Sequence, residues 1–580
     1  NVMDYTTETR DGMTIDWDVP ITMDDGLVLR ADVFRPIAPG KYPVIMTHGP
    51  YGKGLAFQEG YKTPWDLMAA RYPDALEGST NQYQSWEVSD PEKWVPDGYV
   101  VVRVDSRGAG RSPGFVDHFS ERENQDYYQC IEWAGVQPWS NGKVGLNGIS
   151  YYGAGQWIVA GMQPPHLAAI CPWEGFSDGY RESALHGGIP CSFSKNWSEL
   201  QVKSVQHGRP NSPVSRVTGK PVCGDEVLSE EQLKANRVDA YGRHAATLPF
   251  DDEAVAKRGA RLPRVTVPVL SAGNWGGEGL HLRGNVEGFL GAASQQKWLE
   301  LHGNEHWTLF YARYGVDLQK QFFGHFLKGE DNGWDRRPPV LLNVRHVDKF
   351  VQRAEKEWPL ARTQWTKMYL DLDGKALSPA APGKAATASF DALENGGIRF
   401  LTAPFDEETE ITGPLACKLF VSSSTTDADI FLVLHLIDPE GKEKVFQGAL
   451  DPMTSVGKGW LRASRRELDS RRSLPYRPFH AHKRDLPLQP GQPVELDVEI
   501  WPTSIVVPAG WRIGLTVQGR DYEQEGPVSQ LSNVKNAMKG CGPFLHDLED
   551  RPAAIFGGRT TLHAGEGMAP CLHLPVIPQR

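Results

Sequence analysis

The sequence has few cysteines, and none in a spacing that binds metals or forms a redox pair. Its seven cysteines are odd in number and scattered, with no C-x-x-C pair among them. Zinc ribbons and disulfide frameworks need paired or regularly spaced cysteines, so neither is signalled. We expect no metal, no cofactor and a reducing, cytoplasmic compartment; a leader removed before Asn1 stays open.

Long apolar runs and clusters of basic residues are missing as well. No stretch of about 18 apolar residues occurs, which argues against a membrane-spanning helix. The net charge is −11 and the calculated isoelectric point is about 5.9, which disfavours binding to phosphate backbones. We therefore expect a small-molecule substrate, with neither a nucleic-acid nor a membrane partner. Association into a homo-oligomer stays open.

The first half of the chain alternates short apolar runs with helix-compatible stretches. Each run ends in a glycine-rich or polar turn, as in PVIMTHG, YVVVRVDSRGAG, KVGLNGIS, LAAICPW, VPVLSAGN and KWLELHG. Continuous apolar strands separated by crossovers are typical of a buried parallel sheet. The pattern predicts a doubly wound α/β-hydrolase sheet, built from residues 1–172 and 263–338.

Two segments depart from this pattern. Residues 173–262 are polar and contain helical stretches such as LSEEQLKANRVDAYGRHAATL, so we expect a helical cap inserted over the site. After residue 338 the composition changes to short alternating strands such as LLNVRHV and RIGLTVQG, punctuated by Pro, Gly, Asn and Asp. Residues 339–580 are therefore predicted to form an all-β jelly-roll sandwich.

The sharpest chemical signal is the segment from Gly148 to Gly153, GISYYG. It follows the predicted strand KVGLN and precedes the helix-compatible stretch GAGQWIVAGM. A serine on a tight strand-to-helix turn is pushed above the sheet, and small neighbours relieve the crowding there. The segment departs from G-x-S-x-G because Tyr152 takes the place of the second glycine. Its context still predicts Ser150 as a nucleophile for acyl bonds.

Such a nucleophile needs donors for the oxyanion, a base and a carboxylate. The backbone amide of Tyr151 and the phenol of Tyr51 are the expected donors. His306 in HGNEHW is the first choice of base, with His302 or a further histidine as alternatives. Glu278 is the first choice of acid because it is the only acid in SAGNWGGEGLH. Two acids that follow LAAICPW are the alternatives, Glu174 and Asp178.

Taken together, these motifs identify a family. THGPYGKG, RVDSRGAGRSPG, NGKVGLNGISYYG, PWEGFSDGYRE, NWGGEGLHLRGN and ITGPLACKLFVSSSTTDADIFLVLHLID resemble the cocaine esterase and X-Pro dipeptidyl-peptidase-like (CocE/NonD) serine hydrolases over nearly the whole chain. The resemblance implies Ser150 as nucleophile, Tyr51 and Tyr151 as oxyanion donors, and a base in HGNEHW. The chain departs from the family at the acid, because the family's Asp loop is replaced by NWGGE.

The predicted function is metal-independent hydrolysis of a small-molecule ester or amide through an acyl-enzyme on Ser150. An aromatic acyl pocket is predicted from Trp173, Phe176 and Trp275, which lie close to the motifs in sequence. Removal of X-Pro dipeptides and β-lactam acylase or amino-ester hydrolase activity are the rival enzymatic hypotheses. The remaining alternative is an inactive scaffold whose jelly roll binds a partner, since a fold by itself does not fix the function.

Overall fold

The structure is a computed structural model in which residues 2–238 and 249–579 are described. The second half of the predicted cap stretch LSEEQLKANRVDAYGRHAATL, residues 239–248, lies outside the described residues. Within these ranges the strands form two large sheets and one small hairpin.

The first sheet contains eleven strands of the described chain. In chain order the strands are β1 (Thr6–Arg10), β2 (Met13–Thr22), β3 (Val28–Arg35), β4 (Tyr42–Gly49), β5 (Val100–Asp105), β6 (Ser140–Ile149) and β7 (Leu167–Trp173), then the hairpin of β8 (Leu185–His186) and β9 (Ile189–Pro190), then β10 (Val269–Asn274), β11 (Lys297–His302), β12 (Val340–Arg345) and β13 (Phe350–Glu355). The order across the sheet is β1-β2-β3-β5-β4-β6-β7-β10-β11-β12-β13. The pairings from β5 to β12 are parallel.

The central strands are apolar because both of their faces are covered. All residues of β5, VVVRVD, are buried. Val100, Val102 and Val104 pack into one apolar cluster, whereas Val101 packs into another. Successive side chains of a strand point to opposite faces, so a strand buried on both sides reads as a continuous apolar run.

Helices connect these strands. They are α1 (Phe57–Gly60), α2 (Lys62–Arg71), α3 (Pro91–Trp94), α4 (Glu121–Gly135), α5 (Tyr151–Ala160), α6 (Phe193–Trp197), α7 (Glu230–Ala235), α8 (Glu253–Ala256), α9 (Leu282–Gly291), α10 (Thr308–Tyr311), α11 (Arg313–Lys328) and α12 (Ala553–Phe556). Between β7 and β10 the described chain holds only short helices and the β8–β9 hairpin. Among the described residues, none of the helices combines the length and apolarity needed to cross a lipid bilayer.

The second sheet is built from the C-terminal part of the chain. Its strands are β14 (Gln364–Asp371), β15 (Ala376–Ser378), β16 (Ala386–Asp391), β17 (Ile398–Thr402), β18 (Thr409–Ser423), β19 (Asp429–Ile437), β20 (Glu443–Lys444), β21 (Gly457–Arg462), β22 (Val494–Val507), β23 (Arg512–Gln518), β24 (Arg559–Ala564) and β25 (Cys571–Ile577). β25 pairs with both β14 and β18, so the path of pairings closes around one apolar core.

The structure differs from the sequence analysis at the junction of the two sheets. The strand LLNVR, expected in the C-terminal unit, is β12, and it pairs in parallel with β11 of the first sheet. Val340, Leu342 and Val344 bury their side chains in an apolar cluster that also contains Trp275. The alternating pattern indicates a strand with one buried face, but it does not show which of the two sheets the strand joins.

Candidate active site

Ser150 occupies a strained turn between β6 and α5. Its backbone angles are φ 63° and ψ −111°, a region that costs a residue with a side chain about 1–3 kcal/mol. The turn is held by the end of β7, because the Ser150 amide donates to the carbonyl oxygens of Trp173 at 3.0 Å and Glu174 at 2.9 Å. The neighbouring strand therefore fixes the turn that presents the Ser150 side chain to a cavity.

The glycines of GISYYG stand where the turn is crowded. A Cβ atom on Gly148 would lie 2.5 Å from Cβ of Tyr152. On Gly153 it would lie 3.0 Å from the Trp173 carbonyl oxygen and 3.1 Å from Cα of Gly175. Glycine is thus required at positions 148 and 153, which accounts for the departure from G-x-S-x-G.

The cavity at Ser150 has a volume of about 800 Å³, part of it open to solvent. Its wall is mainly apolar and comes from the first sheet's loops, the segment between β7 and β10, and the C-terminal unit. Representative apolar residues are Phe119, Phe176, Phe193, Leu280, Leu450 and Phe544. The polar groups that share the cavity with Ser150 include His281, His306, Glu87 and Glu174.

The histidine bonded to Ser150 is His281, which immediately precedes α9. Its Nε2 lies 2.8 Å from Ser150 Oγ. The Phe176 amide donates to its Nδ1 at 2.9 Å. Since a neutral imidazole has one donor and one acceptor nitrogen, Nδ1 is the acceptor here and Nε2–H donates to Ser150. Burial and the nearby charge of His306 lower the pKa of His281 well below its usual value.

His306 lies in the same cavity, held between two carboxylates. Its Nδ1 is 3.0 Å from Glu174 Oε1, and its Nε2 is 2.6 Å from Glu87 Oε2. Burial alone would lower the pKa of His306, but the charges and hydrogen bonds of Glu174 and Glu87 raise it to about 10. His306 is therefore an imidazolium whose two nitrogens both face glutamates rather than Ser150.

His302 extends this buried network away from the cavity. Its Nδ1 is 2.6 Å from Glu300 Oε1, and its Nε2 is 2.7 Å from Glu174 Oε2. Burial opposes its charge, yet Glu300 and Glu174 raise the pKa of His302 to about 10. Glu174 thus bridges two imidazolium groups, which lower its own pKa against the effect of burial.

The three candidate acids have different environments. Neither carboxylate oxygen of Glu278 has a hydrogen-bond partner among the described residues, and burial raises the pKa of Glu278 to about 7. Asp178 pairs with Arg181 at 3.0 Å. Of these acids, Glu174 is the one that binds the histidines named from the sequence, whereas Glu278 was the first choice.

The two tyrosines expected at the oxyanion both line the cavity. Trp197 Nε1–H donates to Tyr51 Oη at 2.9 Å. An indole N–H can only donate, so Tyr51 is the acceptor in this bond and keeps its own hydroxyl proton for another group. Burial raises the pKa of Tyr51 well above its usual value, which keeps the phenol protonated. Tyr151 is the first residue of α5, and the amides of a helix's first turn lack partners within the helix.

The predicted aromatic pocket needs correction at two of its three residues. Among the described residues, the cavity lining includes Phe176 but neither Trp173 nor Trp275. Trp275 is fully buried in the apolar cluster at β12, where its Nε1 donates to the Asn343 carbonyl oxygen at 2.8 Å. Trp173 is also fully buried and stacks on His302 with a centroid distance of 5.2 Å. Both tryptophans were predicted beside the site because they are near the motifs in sequence, but the folded chain buries their side chains in the core.

Comparisons with known proteins show which family the chain belongs to. Residues 25–308 match the X-Pro dipeptidyl-peptidase (S15 family), and residues 332–536 match the X-Pro dipeptidyl-peptidase C-terminal non-catalytic domain. A CocE/NonD family hydrolase from Staphylococcus aureus is 32% identical with a TM-score of 0.82, covering 97% of this chain and 94% of that one. The chain belongs to the CocE/NonD hydrolase family.

Two further proteins are similar to this chain over most of its length. The cocaine esterase of a Rhodococcus species is 26% identical over 490 residues, covering 73% of this chain and 80% of the relative. An aminopeptidase from a Thaumarchaeota archaeon of marine sediment, 15% identical with a TM-score of 0.66 and covering 100% and 97% of the two chains, shares the fold. This CocE/NonD protein is a serine hydrolase with a C-terminal all-β domain. The predicted family and reaction class are confirmed.

Proposed function

We propose that this CocE/NonD hydrolase cleaves small-molecule carboxylic esters with a neutral, apolar acyl group. The observation that carries the proposal is the 2.8 Å contact between Ser150 Oγ and His281 Nε2 at an aromatic cavity. Buried aromatic walls with a few converging polar groups are typical of sites that bind apolar ligands.

In the proposed reaction, Ser150 Oγ attacks the ester carbonyl and His281 Nε2 takes the serine proton. The oxyanion is stabilised by the Tyr51 hydroxyl and the Tyr151 amide. The intermediate collapses as His281 returns the proton to the departing alkoxide, which leaves an acyl-enzyme on Ser150. A water molecule, activated by His281, then releases the acid.

His281 can take this proton only as its other neutral tautomer, which forms when solvent water removes the Nε2 proton and delivers one to Nδ1. In the resting arrangement Nδ1 accepts the Phe176 amide, so that hydrogen bond must open first. The Phe176 side chain lines the cavity, so an acyl group bound there would contact the residue whose amide holds Nδ1. We propose that substrate binding converts His281 from a donor into a base.

The charges around the cavity favour a neutral acyl group over an ammonium-bearing one. The carboxylates of Glu87 and Glu174 are already paired with the His306 imidazolium. A substrate ammonium would therefore be buried without a free carboxylate, which is costly. Amino esters and X-Pro peptides are therefore expected to be poorer substrates than simple esters, although the matched S15 family is named for X-Pro dipeptidyl-peptidases.

We also propose that residues 173–262 form a cap and that the part of residues 339–580 that follows β13 forms a jelly roll, since β12 and β13 belong to the first sheet. Phe193 and Trp197 of the first segment line the cavity, as do Leu450 and Phe544 of the second. Their shared contribution supports a substrate site enclosed by both.

All seven cysteines are unpaired, which suits the reducing compartment expected from the sequence, the cytoplasm.

The test compares release of alcohol or amine from three substrate classes of similar size. These are p-nitrophenyl esters of acetate and benzoate, a p-nitrophenyl ester of an α-amino acid, and an X-Pro p-nitroanilide. We expect kcat/KM to be highest for benzoate and all turnover to depend on Ser150, with Ser150→Ala as control. A higher kcat/KM for the amino ester or the anilide would overturn the preference for neutral acyl groups.

A further inference from the structure

A second cluster of reactive side chains lies outside the Ser150 cavity. It consists of His186 on β8, Cys191 just after β9, and His546 in the C-terminal unit, and all three are buried. One nitrogen of each histidine and the Cys191 sulfur lie within 4.8 Å of one another. Two imidazoles and a thiol are the donor types that bind zinc.

The outward-facing nitrogens of the two histidines are already held by acceptors. His546 Nδ1 is 2.9 Å from Asp521 Oδ1, and His186 Nε2 is 2.7 Å from the Gly279 carbonyl oxygen. Metal-binding histidines are oriented in this way, by a carboxylate or a carbonyl on the ring nitrogen that does not bind the metal. The inward-facing nitrogens, His186 Nδ1 and His546 Nε2, are 2.7 Å apart.

The short distance between the inward-facing nitrogens requires a proton or a metal ion between them. If His186 donates Nε2–H to Gly279, its Nδ1 carries a lone pair. If His546 donates Nδ1–H to Asp521, its Nε2 also carries a lone pair. Two lone pairs at this separation repel, so a shared proton or a metal ion must lie there.

We propose that His186 Nδ1, His546 Nε2 and Cys191 Sγ bind one Zn²⁺ ion. The charge balances, because Zn²⁺ would displace two protons, the one shared by the two imidazoles and the one on the Cys191 thiol. Nitrogens bound to zinc at about 2.0–2.1 Å in a tetrahedron are roughly 3.3 Å apart, so the two rings need only a small separation. Burial raises the pKa of the Cys191 thiol to about 12, against a hydrogen bond from the Phe193 amide, so the metal itself would have to displace the thiol proton.

The proposed ion would join two segments around the active site. His186 and Cys191 belong to the segment between β7 and β10, and His546 belongs to the C-terminal unit. Gly279, held by His186, lies two residues before His281. Zinc at this point would therefore act as a structural clip for the wall of the cavity, separate from the serine chemistry.

The experiment measures metal binding by the full chain without an affinity tag. Chelator-treated protein is dialysed against equimolar Zn²⁺, and bound zinc is measured by elemental analysis. We expect about one zinc per chain. Separately, Co²⁺ loading of the unmodified protein should give the near-ultraviolet absorption of a thiolate–cobalt bond. Absence of this band would overturn the proposal without any substitution.

Variants assign the binding to the cluster. Cys191→Ser should abolish the cobalt band and lower zinc affinity at least tenfold, and Asp521→Asn should lower it about 10–100-fold. Cys223→Ser, which changes another buried cysteine of the same segment, is the matched control and should bind like the unmodified protein. Equal zinc binding by Cys191→Ser and the control would overturn the proposal, and would point to the partly exposed group of Asp547, Glu549 and Asp550 instead.

Discussion

The imidazole rings of His281 and His306 lie face to face, with centroids 5.5 Å apart and planes 10° from parallel. The two rings differ in charge, one being neutral and the other positive. His281 has a lowered pKa and is neutral, whereas His306 is held as an imidazolium by Glu174 and Glu87. The ring bonded to Ser150 is the neutral one, so the charged ring acts on the reaction through its field rather than by contact.

The first prediction separates these histidines by their effect on acylation. We expect His281→Gln to lower kcat for p-nitrophenyl benzoate by about 10³-fold or more, because it removes the partner of Ser150. His302→Gln, one step further along the network, should cost much less. The measurement is the pre-steady-state burst of p-nitrophenol, with folding checked by circular dichroism. A normal burst in His281→Gln, together with its loss in His306→Gln, would reassign the base to His306.

The second prediction concerns the pH profile of kcat/KM. A base must be unprotonated, so a lowered pKa of His281 keeps the enzyme active well below pH 6.5 and places the acid limb there. His306→Gln removes a positive charge and should raise the pKa of His281. The acid limb of the profile should then move to higher pH by roughly 1–2 units, the shift expected for a charge at this distance in a partly polar site.

Glu278→Gln is the matched control for this profile. Glu278 is a buried carboxyl that makes no hydrogen bond within the described residues, and it was the acid expected from the sequence. We expect its kcat to stay within a few-fold of the unmodified enzyme and its acid limb to stay in place. A loss of about 10³-fold in this variant would restore Glu278 as the orienting acid.

The third prediction concerns the oxyanion. Tyr51→Phe should lower kcat about 10²–10³-fold, as loss of one donor does in other acyl-transfer sites, with KM changed only a few-fold. Trp197→Phe keeps the Tyr51 hydroxyl but removes the N–H that orients it, so a smaller loss is expected. If the two variants lose activity equally, Tyr51 only packs the cavity wall.

Much of the fold and the nucleophile could be predicted from the sequence because their signals are local. Apolar runs such as VVVRVD reflect burial on both faces of a strand, and GISYYG combines a crowded turn with its flanking elements. Contacts between residues that are distant in sequence leave no such local signal. The pairing of β12 with β11 and the burial of Trp275 depend on which surfaces meet, and alternation alone cannot specify that.

The sequence predicts the base after the last parallel strands, which favours HGNEHW over GLH in NWGGEGLH. His281 lies ahead of α9, and its approach to Ser150 depends on the Phe176 amide and the His306 ring, both distant in sequence. Glu87 lies in SWEVSD, which matches no motif. The cluster of His186, Cys191 and His546 could not be predicted from the sequence for the same reason, since its residues come from segments more than 350 positions apart.

The last prediction distinguishes the cavity wall from the core. Phe176→Ala should change the ratio of kcat/KM between benzoyl and acetyl esters by about tenfold or more, because the side chain lines the cavity at the acyl group's expected position. Trp275→Ala should leave this ratio unchanged and lower the free energy of unfolding by about 3–5 kcal/mol, since it empties a buried site.

Each of these variants serves as the other's control, because both remove one aromatic ring near the same loops. Denaturant unfolding measures the stability of each, and the ester pair measures selectivity at a temperature where both are folded. If Trp275→Ala alters selectivity while Phe176→Ala does not, the acyl group reaches past Phe176 toward β12. The aromatic wall assigned from the structure would then be wrong, and the pocket expected from the sequence would be right.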